Sequence, residues 1–337
     1  MRLLINKPGM FVGVKRGMII IREKGNKVGE VSPAQITRVI VTTRGASIST
    51  ALLRLLATHK IPLIVYSSVG FPVIRAFPIK GGAIKLKKMQ RDAQNSWKCA
   101  HIVKRIIWAK IGNQKAIIYH AAKARLRINP DVAKKLLEIS AELSKFQRIV
   151  KGLEYDDLKK LRFEVIRIEA EAAEAYWKGF RLLLPEDVGF PGRKKRYDRP
   201  KDPVNILLNY GYGLLAGEVL LAVECSGLEP YMGFLHEDSS RRPALVMDLM
   251  EEFRQPVVDR VVLRLIRRLD LNKIIRDGRL SRDARWDVIK AFYERLDEKV
   301  TFKNRSVPII DHILLQARRL ALFIMDKAPR YEPYIER

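Results

Sequence analysis

Residues 161–182 read LRFEVIRIEAEAAEAYWKGFRL, and this stretch has the pattern of a helix with one buried face. At 100° per residue, one side of that helix collects only apolar or small residues, namely Leu161, Val165, Ile168, Ala172, Tyr176 and Gly179. The opposite side collects the charged residues Glu164, Arg167, Glu171, Glu174, Lys178 and Arg181. Glu174 and Lys178 are spaced for an i,i+4 ion pair. The periodicity predicts an amphipathic helix that packs into a helical core.

One carboxylate departs from this pattern. Glu169 falls inside the apolar arc, among Val165, Ala173, Tyr176 and Phe180. A lone carboxylate in such a place must be ion-paired, protonated or bound to a cation. Arg162 lies two turns earlier at nearly the same angle, so a Glu169–Arg162 salt bridge is one interpretation and a metal ion is the other.

Helical periodicity extends from Lys85 to the end of the chain. Asn129-Pro130 and Asp202-Pro203 are N-cap and first-turn pairs, and the helices that they open are expected to close at Gly152 and Gly227. Ser281 caps a further helix that is expected to run to about Val300.

The first 80 residues have a different character. Short β-branched or apolar runs separated by Gly and Pro predict strands at Met18–Ile21, Arg38–Thr42, Leu63–Tyr66 and Phe71–Ala76. One helix is expected between about Ser47 and His59. We therefore predict an α+β protein with a β-rich N-terminal domain over 1–80 that contains one helix. A linker over 81–88 follows, within a Gly- and Pro-containing stretch that starts at Pro78, and a larger all-α catalytic domain spans 89–337.

Composition limits the partners. The chain has 337 residues, 64 Lys and Arg against 37 Asp and Glu, and a formal net charge of +27. Such a surplus favours an anionic partner, with nucleic acid first and an anionic membrane second. The uncharged stretch Ile61–Ile74 is too short to span a bilayer, and no signal-peptide pattern starts the chain. We expect a cytoplasmic protein that has no membrane partner.

The two cysteines exclude another class of protein. Cys99 and Cys225 are far apart in the sequence, so neither a disulfide framework nor a cysteine-based zinc site is expected. Both are predicted to be buried thiols.

A second group of candidate site residues follows the segment Gly233-Phe234-Leu235-His236. On a short predicted helix, Ala244–Phe253, the carboxylates Asp248, Glu251 and Glu252 share one face. This is either a solvated acidic face beside an incidental His, or a site for a hard divalent cation such as Mg²⁺ or Mn²⁺. Spacing alone leaves both interpretations open.

Basic residues surround these carboxylates. They occur in a loop at 192–201, on both sides of the acidic helix and along Pro256–Leu269. Arginines around carboxylates are expected where a metal ion meets a phosphodiester. The candidate DNA contacts are Arg193, Lys194, Lys195, Arg196, Arg199, Arg241, Arg242, Arg254, Arg264, Arg267 and Arg268.

Four motifs in sequence order carry a family resemblance: IEAEAA at 168–173 with Tyr176-Trp177, RPKDPVN at 199–205 with NYGY at 209–212, GFLH at 233–236, and DLMEEFR at 248–254. On these motifs the chain resembles the CRISPR-associated adaptation endonuclease and integrase family, CRISPR-associated protein one. The resemblance implies a β domain followed by an α-helical domain. It also implies a metal site on Glu169, His236 and Glu251, with Asp248 as an outer residue or an alternative ligand. Many members have Gly where this chain has Ala170.

The resemblance further implies a Mg²⁺- or Mn²⁺-dependent enzyme that joins the 3′-hydroxyl ends of short DNA fragments to a CRISPR repeat. Its partners would be DNA, a second copy bound through the N-terminal domain, and CRISPR-associated protein two. Two alternatives remain: a mobile-element integrase of the same descent, and a non-catalytic basic scaffold for nucleic acid. The scaffold explains the net charge but leaves a carboxylate in an apolar arc without a reason.

Overall fold

The computed structural model describes residues 1–68, 70–76, 83–154, 157–270, 274–276 and 279–336. The chain divides into two compact units, Met1–Gly82 and Ala83–Arg337. Of the expected linker, 81–82 and the preceding 77–80 lie outside the described residues. Residues 84–88 belong to a helix instead, because Leu86 and Gln90 lie on a buried face at helical spacing.

The N-terminal unit contains two four-stranded sheets. Its strands are β1 Arg2–Ile5, β2 Met10–Lys15, β3 Met18–Glu23, β4 Asn26–Val31, β5 Arg38–Val41, β6 Ser47–Ile48, β7 Leu63–Tyr66 and β8 Pro72–Ala76. One sheet has the order β1-β5-β7-β8, in which only β8 is antiparallel to its neighbour. The other has the order β4-β3-β2-β6, in which only β6 is parallel to its neighbour.

One helix, α1 at Thr50–Thr58, packs on this unit, and Ser49 caps it by accepting a hydrogen bond from the Leu52 N–H at 3.1 Å. The core consists of inward-facing aliphatic side chains from both sheets and α1, including Leu3, Ile5, Val12, Ile19, Val39 and Leu52. The strands expected from the sequence are present. Four further strands, β1, β2, β4 and β6, were not predicted. The residues of β4 are mostly exposed and give no apolar alternation, and β6 has only two residues.

The C-terminal unit is mainly helical. Its helices are α2 Ile84–Ala93, α3 Trp97–Arg125, α4 Pro130–Gly152, α5 Leu158–Arg181, α6 Pro203–Cys225, α7 Ala244–Met250, α8 Arg260–Ile266, α9 Arg282–Asp297 and α10 Ile309–Ile324. The predicted caps are confirmed. Asn129 accepts from the Val132 N–H, Asp202 from the Asn205 N–H and Ser281 from the Ala284 N–H.

The helix α6 is long and apolar enough to cross a membrane, and it is the only such helix in the described part of the chain. In this protein 94% of its most apolar 18-residue window is buried against the other helices. Its hydrophobicity is therefore that of a central core helix. Cys99 is buried as expected, whereas Cys225, at the end of α6, is exposed.

The expectation of an all-α second domain is wrong in two places. Short antiparallel hairpins are formed by β9 Ile275–Arg276 with β10 Arg279–Leu280, and by β11 Lys299–Phe302 with β12 Arg305–Pro308. The turn of the second hairpin has Lys303 and Asn304, both at positive φ, which is the conformation that a tight two-residue hairpin requires. The helix expected to reach Val300 ends at Asp297, because strand β11 begins at Lys299.

Candidate functional site

The apolar stripe predicted for residues 161–182 is buried on α5, and Glu174 and Lys178 form the expected ion pair at 2.8 Å. Glu169 lies at the edge of the buried arc with a side chain 24% exposed. Its partner is Lys110 of α3, whose Nζ lies 2.5 Å from Oε1. Arg162 does not pair with it, because the Arg162 Nε donates to the Phe234 carbonyl at 2.9 Å.

The same Lys110 meets a second carboxylate. Glu251 follows the last residue of α7, and its side chain is 4% exposed. One carboxylate oxygen, Oε2, lies 2.7 Å from Lys110 Nζ, and the other, Oε1, lies 3.0 Å from the Arg254 guanidinium. Burial alone would raise the pKa of Glu251, but Arg254 and Lys110 outweigh it and lower that pKa to about 2. Glu251 is therefore ionised at neutral pH.

His236 is held by the carboxylate of Asp248. Asp248 is fully buried and accepts the backbone N–H groups of Phe234 and Leu235 at 2.6 and 3.0 Å and that of His236 at 2.9 Å. It also lies 2.7 Å from His236 Nδ1. When Nδ1–H donates to a carboxylate, Nε2 carries a free lone pair that can bind a metal ion. Histidines that bind metals are commonly held in this way.

Glu252 leaves this group. Its carboxylate accepts the Tyr331 hydroxyl, the Tyr334 N–H at 2.7 Å and the Gln316 side-chain amide at 2.8 Å. Burial raises the pKa of Glu252 to about 7, although these hydrogen bonds oppose the rise. The expectation that Asp248, Glu251 and Glu252 share one acidic face is therefore wrong.

The reason lies in the backbone after Met250. The N–H groups of residues 251–253 bond three residues back, and a π-helical turn, Arg254–Asp259, follows around Pro256. The tighter turn rotates Glu252 by about 120° from Glu251, so these two neighbouring carboxylates point in different directions. The π-helical turn follows all three carboxylates. Turns of this kind often occur at functional sites.

The described residues contain no group of three or more His, Cys, Asp and Glu side chains close enough to hold a metal ion. Glu169 and Glu251 instead converge on the buried ammonium of Lys110. Oε2 of Glu251 is buried and has no well-directed hydrogen-bond donor, because Lys110 is close to it but poorly aligned. Two carboxylates and an oriented imidazole are donors that Mg²⁺ and Mn²⁺ accept, and the position of Lys110 is one where a cation is already stabilised.

The predicted DNA contacts divide into inward and outward groups. Arg193 is turned inward, where its guanidinium donates to the side chains of Asn205 at 3.0 Å and Asn209 at 2.7 Å. Arg254 points at Glu251. Tyr212 lies between Arg193 and Arg254. The guanidinium carbon of Arg193 is 5.3 Å from the centre of the Tyr212 ring, and that of Arg254 is 4.9 Å from it. These two arginines are half-buried and directed inward.

The remaining predicted contacts lie at the surface. Lys194, Lys195, Arg199, Arg241 and Arg242 are exposed, and nothing is described for the side chain of Arg196. Arg264, Arg267 and Arg268 line a cavity of about 650 Å³ together with Arg125 and Arg260. Arg264 is ion-paired with Glu298 at 3.3 Å, and Arg267 donates to the Leu183 carbonyl.

Lys110 is the site residue that the sequence analysis missed. It follows Val103 and Ile106 and precedes Ile117 on the buried stripe of α3. A charged residue on an apolar stripe is the same signal that singled out Glu169, so inspection of α3 on a helical wheel would have revealed it.

Comparisons by family model, by sequence and by structure all match this chain to Cas1 proteins or to a casposase. The family model described as CRISPR associated protein Cas1 matches residues 3–294. The chain is 36% identical to a CRISPR-associated endonuclease Cas1 of Archaeoglobus fulgidus, with 100% of both chains covered. Among solved structures, a casposase bound to integration product has a TM-score of 0.80 at 24% identity, covering 98% of this chain and 92% of that one. A Cas6-RT-Cas1–Cas2 complex matches with a TM-score of 0.78 at 21% identity, covering 100% of this chain and 36% of that one.

Proposed function

Because the chain belongs to the CRISPR-associated protein Cas1 family, we propose that it is a divalent-metal-dependent DNA endonuclease and integrase of CRISPR adaptation. In this proposal it joins the 3′-hydroxyl ends of short DNA fragments to the CRISPR repeat. One observation carries the proposal: Glu169 and Glu251, from distant parts of the sequence, converge on a single buried cation position. A protein that only binds DNA has no use for this costly arrangement.

We propose that Glu169, Glu251 and His236 hold the metal, Mg²⁺ or Mn²⁺. Asp248 is not a ligand in this proposal, because four hydrogen-bond donors already occupy its two oxygens. Its role is to hold His236 with Nε2 free. Arg254 fixes one oxygen of Glu251 and leaves the other directed at the cation position. When bound, the metal would polarise the scissile phosphate and stabilise its developing negative charge.

The reaction conserves phosphodiester bonds. A bond forms between the fragment's 3′-oxygen and the phosphorus of the repeat, while the bond from that phosphorus to the repeat's own 3′-oxygen breaks. The departing oxygen becomes a hydroxyl, and the proton of the attacking hydroxyl passes to solvent. When water attacks instead, the same site cleaves DNA as a nuclease. The exposed cations around the site hold the DNA so that the attacking hydroxyl is in line with the phosphate.

We further propose that the protein acts in the cytoplasm as a homodimer with CRISPR-associated protein two. A partner of that kind is named in the solved Cas1–Cas2 complex. The N-terminal unit offers a surface for the second copy, because β8 is an edge strand on which Val73 and Ile74 are both 58% exposed. Exposed apolar edge strands favour pairing with another chain. In this proposal the N-terminal unit is the part of the chain that forms the dimer.

A mobile-element integrase is the alternative reading, and the similarity to the casposase structure gives it support at the level of the fold. The full-length match to a Cas1 endonuclease favours CRISPR adaptation. A non-catalytic scaffold is the least favoured reading, because it gives the buried carboxylates and their cation no role.

The experiment that tests the proposed reaction uses fragments with blocked ends. With its small partner and Mn²⁺, the protein should join a short duplex with free 3′-hydroxyls to supercoiled plasmid. Fragments that end in dideoxynucleotides should give no joined product, because the attacking oxygen is missing. Cleavage of plasmid by water should continue with both kinds of fragment. Joining of dideoxy fragments would rule out the mechanism.

DNA affinity should depend steeply on salt, and the exposed part of the basic loop should contribute. The triple variant Lys194→Gln, Lys195→Gln, Arg199→Gln should bind duplex DNA more weakly and show a flatter dependence of log K on log salt. The slope should change by up to about 2.7, since each neutralised phosphate accounts for about 0.9. Arg193 is left intact, because it is turned inward.

The matched control is Lys134→Gln, Lys135→Gln, which removes two exposed lysines of α4 outside the predicted surfaces. It should leave the slope close to that of the natural protein. If the loop variant behaves like this control, the DNA follows another path, with the cavity of Arg264, Arg267 and Arg268 as the next candidate.

A further inference from the structure

One face of α3 takes no part in the candidate metal centre, and it carries aromatic side chains at a constant interval. Trp108 follows Trp97 by eleven residues, and Tyr119 follows Trp108 by another eleven. Eleven residues complete three turns and about 20°, so the three rings lie along one stripe about 33 Å long. Trp97 is 52% exposed and Tyr119 is 41% exposed. Trp108 is two residues, or about 200° of rotation, from Lys110, so the stripe faces away from the metal centre.

Two adjoining cavities follow this stripe. One, of about 260 Å³, is lined by Trp97, His101, Lys104, Arg105, Trp108 and Lys151. The other, of about 1140 Å³, lies between α3, α4 and the β11–β12 hairpin, and its lining includes Trp108, Tyr119 and Phe302. Arg105 and Trp108 line both. The two cavities therefore form one groove along the helix.

The lining of the groove has more cations than carboxylates. Four of its cations have no carboxylate within ion-pair distance anywhere in the described residues, namely Lys104, Arg105, Lys115 and Lys151. The two acids of the lining are already paired: Glu332 with Lys303 and Arg330, and Glu336 with Arg260 and Arg295. An anion is the complementary ligand.

The placement of Arg105 points in the same direction. Its guanidinium lies over the Trp108 ring at 4.7 Å, and its Nε is buried with no hydrogen-bond partner. Its charge is held beside Arg330, and burial together with that repulsion lowers its pKa. An anion in the groove would relieve both the desolvation and the repulsion.

We propose that this groove binds an unpaired strand of nucleic acid. Its cations would contact successive phosphates, and its aromatic rings would stack on bases, which is how proteins hold single strands without reading their sequence. A duplex could use the cations, but its bases are stacked on each other and offer no faces to the rings. An acidic peptide would likewise leave the regular aromatic stripe without a role.

The test measures binding with the metal removed, so its outcome is independent of the proposed reaction. Fluorescein-labelled oligo(dT) of twenty nucleotides and a blunt duplex of twenty base pairs are titrated in EDTA and followed by fluorescence anisotropy. The variant Trp97→Ala, Tyr119→Ala should weaken oligo(dT) binding at least about 25-fold, since each of the two lost stacks removes a factor of about five or more. Duplex binding should change less than about twofold, because the proposal gives the duplex no stacking contact.

The cations of the groove should determine how strongly oligo(dT) binding depends on salt concentration. Arg105→Gln, Lys115→Gln should reduce the salt slope for oligo(dT) by about 1.4, or about 0.7 per phosphate. Trp286→Ala is the matched control, because Trp286 is an aromatic residue of α9 that is 42% exposed and lies outside the groove. It should leave oligo(dT) binding unchanged.

Circular dichroism and thermal melting establish that each variant is folded. Trp97 packs edge-on against Phe323 at 5.6 Å, so Tyr119→Ala alone provides a second variant that leaves this contact intact. It should weaken oligo(dT) binding about fivefold, and Tyr119→Phe, which keeps the ring, should restore it. The proposal is wrong if oligo(dT) and duplex lose affinity equally, if the control variant has the same effect, or if only an acidic peptide competes for the groove.

Discussion

Replacing Glu169 by Gln should abolish both metal-dependent cleavage and strand transfer while the protein remains folded. The amide keeps the shape of the side chain but removes the negative charge, so one of the two carboxylates around the proposed cation position is lost. We expect the rate to fall by at least about 10³-fold, or about 4 kcal/mol in the activation barrier. The measurement is joining of a labelled fragment to plasmid in Mn²⁺.

Glu171→Gln is a close control for this change. Glu171 is on the same helix, but it is exposed and ion-paired with Arg167 on the outer face. Its variant should have nearly the natural rate. Glu251→Gln and His236→Ala should be as inactive as Glu169→Gln. Natural rates from all three variants would rule out the assigned metal centre.

Lys110→Met should lower stability without metal and increase the stabilisation that metal provides. The substitution keeps an unbranched apolar chain but removes the cation that Glu169 and Glu251 share. Removing one partner of a buried ion pair costs up to about 3–5 kcal/mol, and here the cost should be smaller, because Glu251 keeps Arg254 and Glu169 is partly exposed. The melting temperature in EDTA should therefore fall by a few degrees. Mn²⁺ should restore much of this loss, because it would replace the missing charge and binds only the folded state.

The thermal shift caused by Mn²⁺ should therefore be larger in Lys110→Met than in the natural protein. The double variant Lys110→Met, Glu169→Gln should lose most of that shift, because one carboxylate around the cation is neutral. Lys98→Met is a control at another ion-paired lysine of α3, whose partner Asp326 is exposed. If Mn²⁺ shifts all of these proteins equally, Lys110 does not occupy the metal position.

The basic surface and the metal position have separate readouts. The salt dependence of duplex DNA binding reports on the exposed cations. The shift in melting temperature caused by Mn²⁺ reports on the carboxylates around Lys110, and the affinity for oligo(dT) reports on the aromatic stripe of α3. Asp248→Ala should also destabilise the protein, but for a different reason from Lys110→Met. The variant leaves the buried N–H groups of Phe234 and Leu235 without an acceptor.

Features that neighbouring residues encode could be predicted from the sequence. The caps at Asn129 and Asp202, the buried stripe of α5 and the Glu174–Lys178 pair all depend on residues within one or two turns. The position of Glu169 on an apolar arc belongs to the same class, as does the division into a β-rich part and a helical part. Family motifs added His236 and Glu251 as candidate partners.

Contacts between side chains from distant parts of the chain could not be predicted from local sequence patterns. Glu169 pairs with Lys110, which lies 59 residues earlier on another helix, and not with Arg162 on its own helix. Asp248, Glu251 and Glu252 reach three different environments, because their partners His236, Lys110 and Tyr331 come from distant parts of the chain. Arg193, in a loop that reads as an exposed basic tract, is turned inward by the side chains of Asn205 and Asn209. The physical reason is that helical periodicity specifies the buried face of a helix, whereas the packing of α3, α5 and α7 selects the partner that each buried charge finds there.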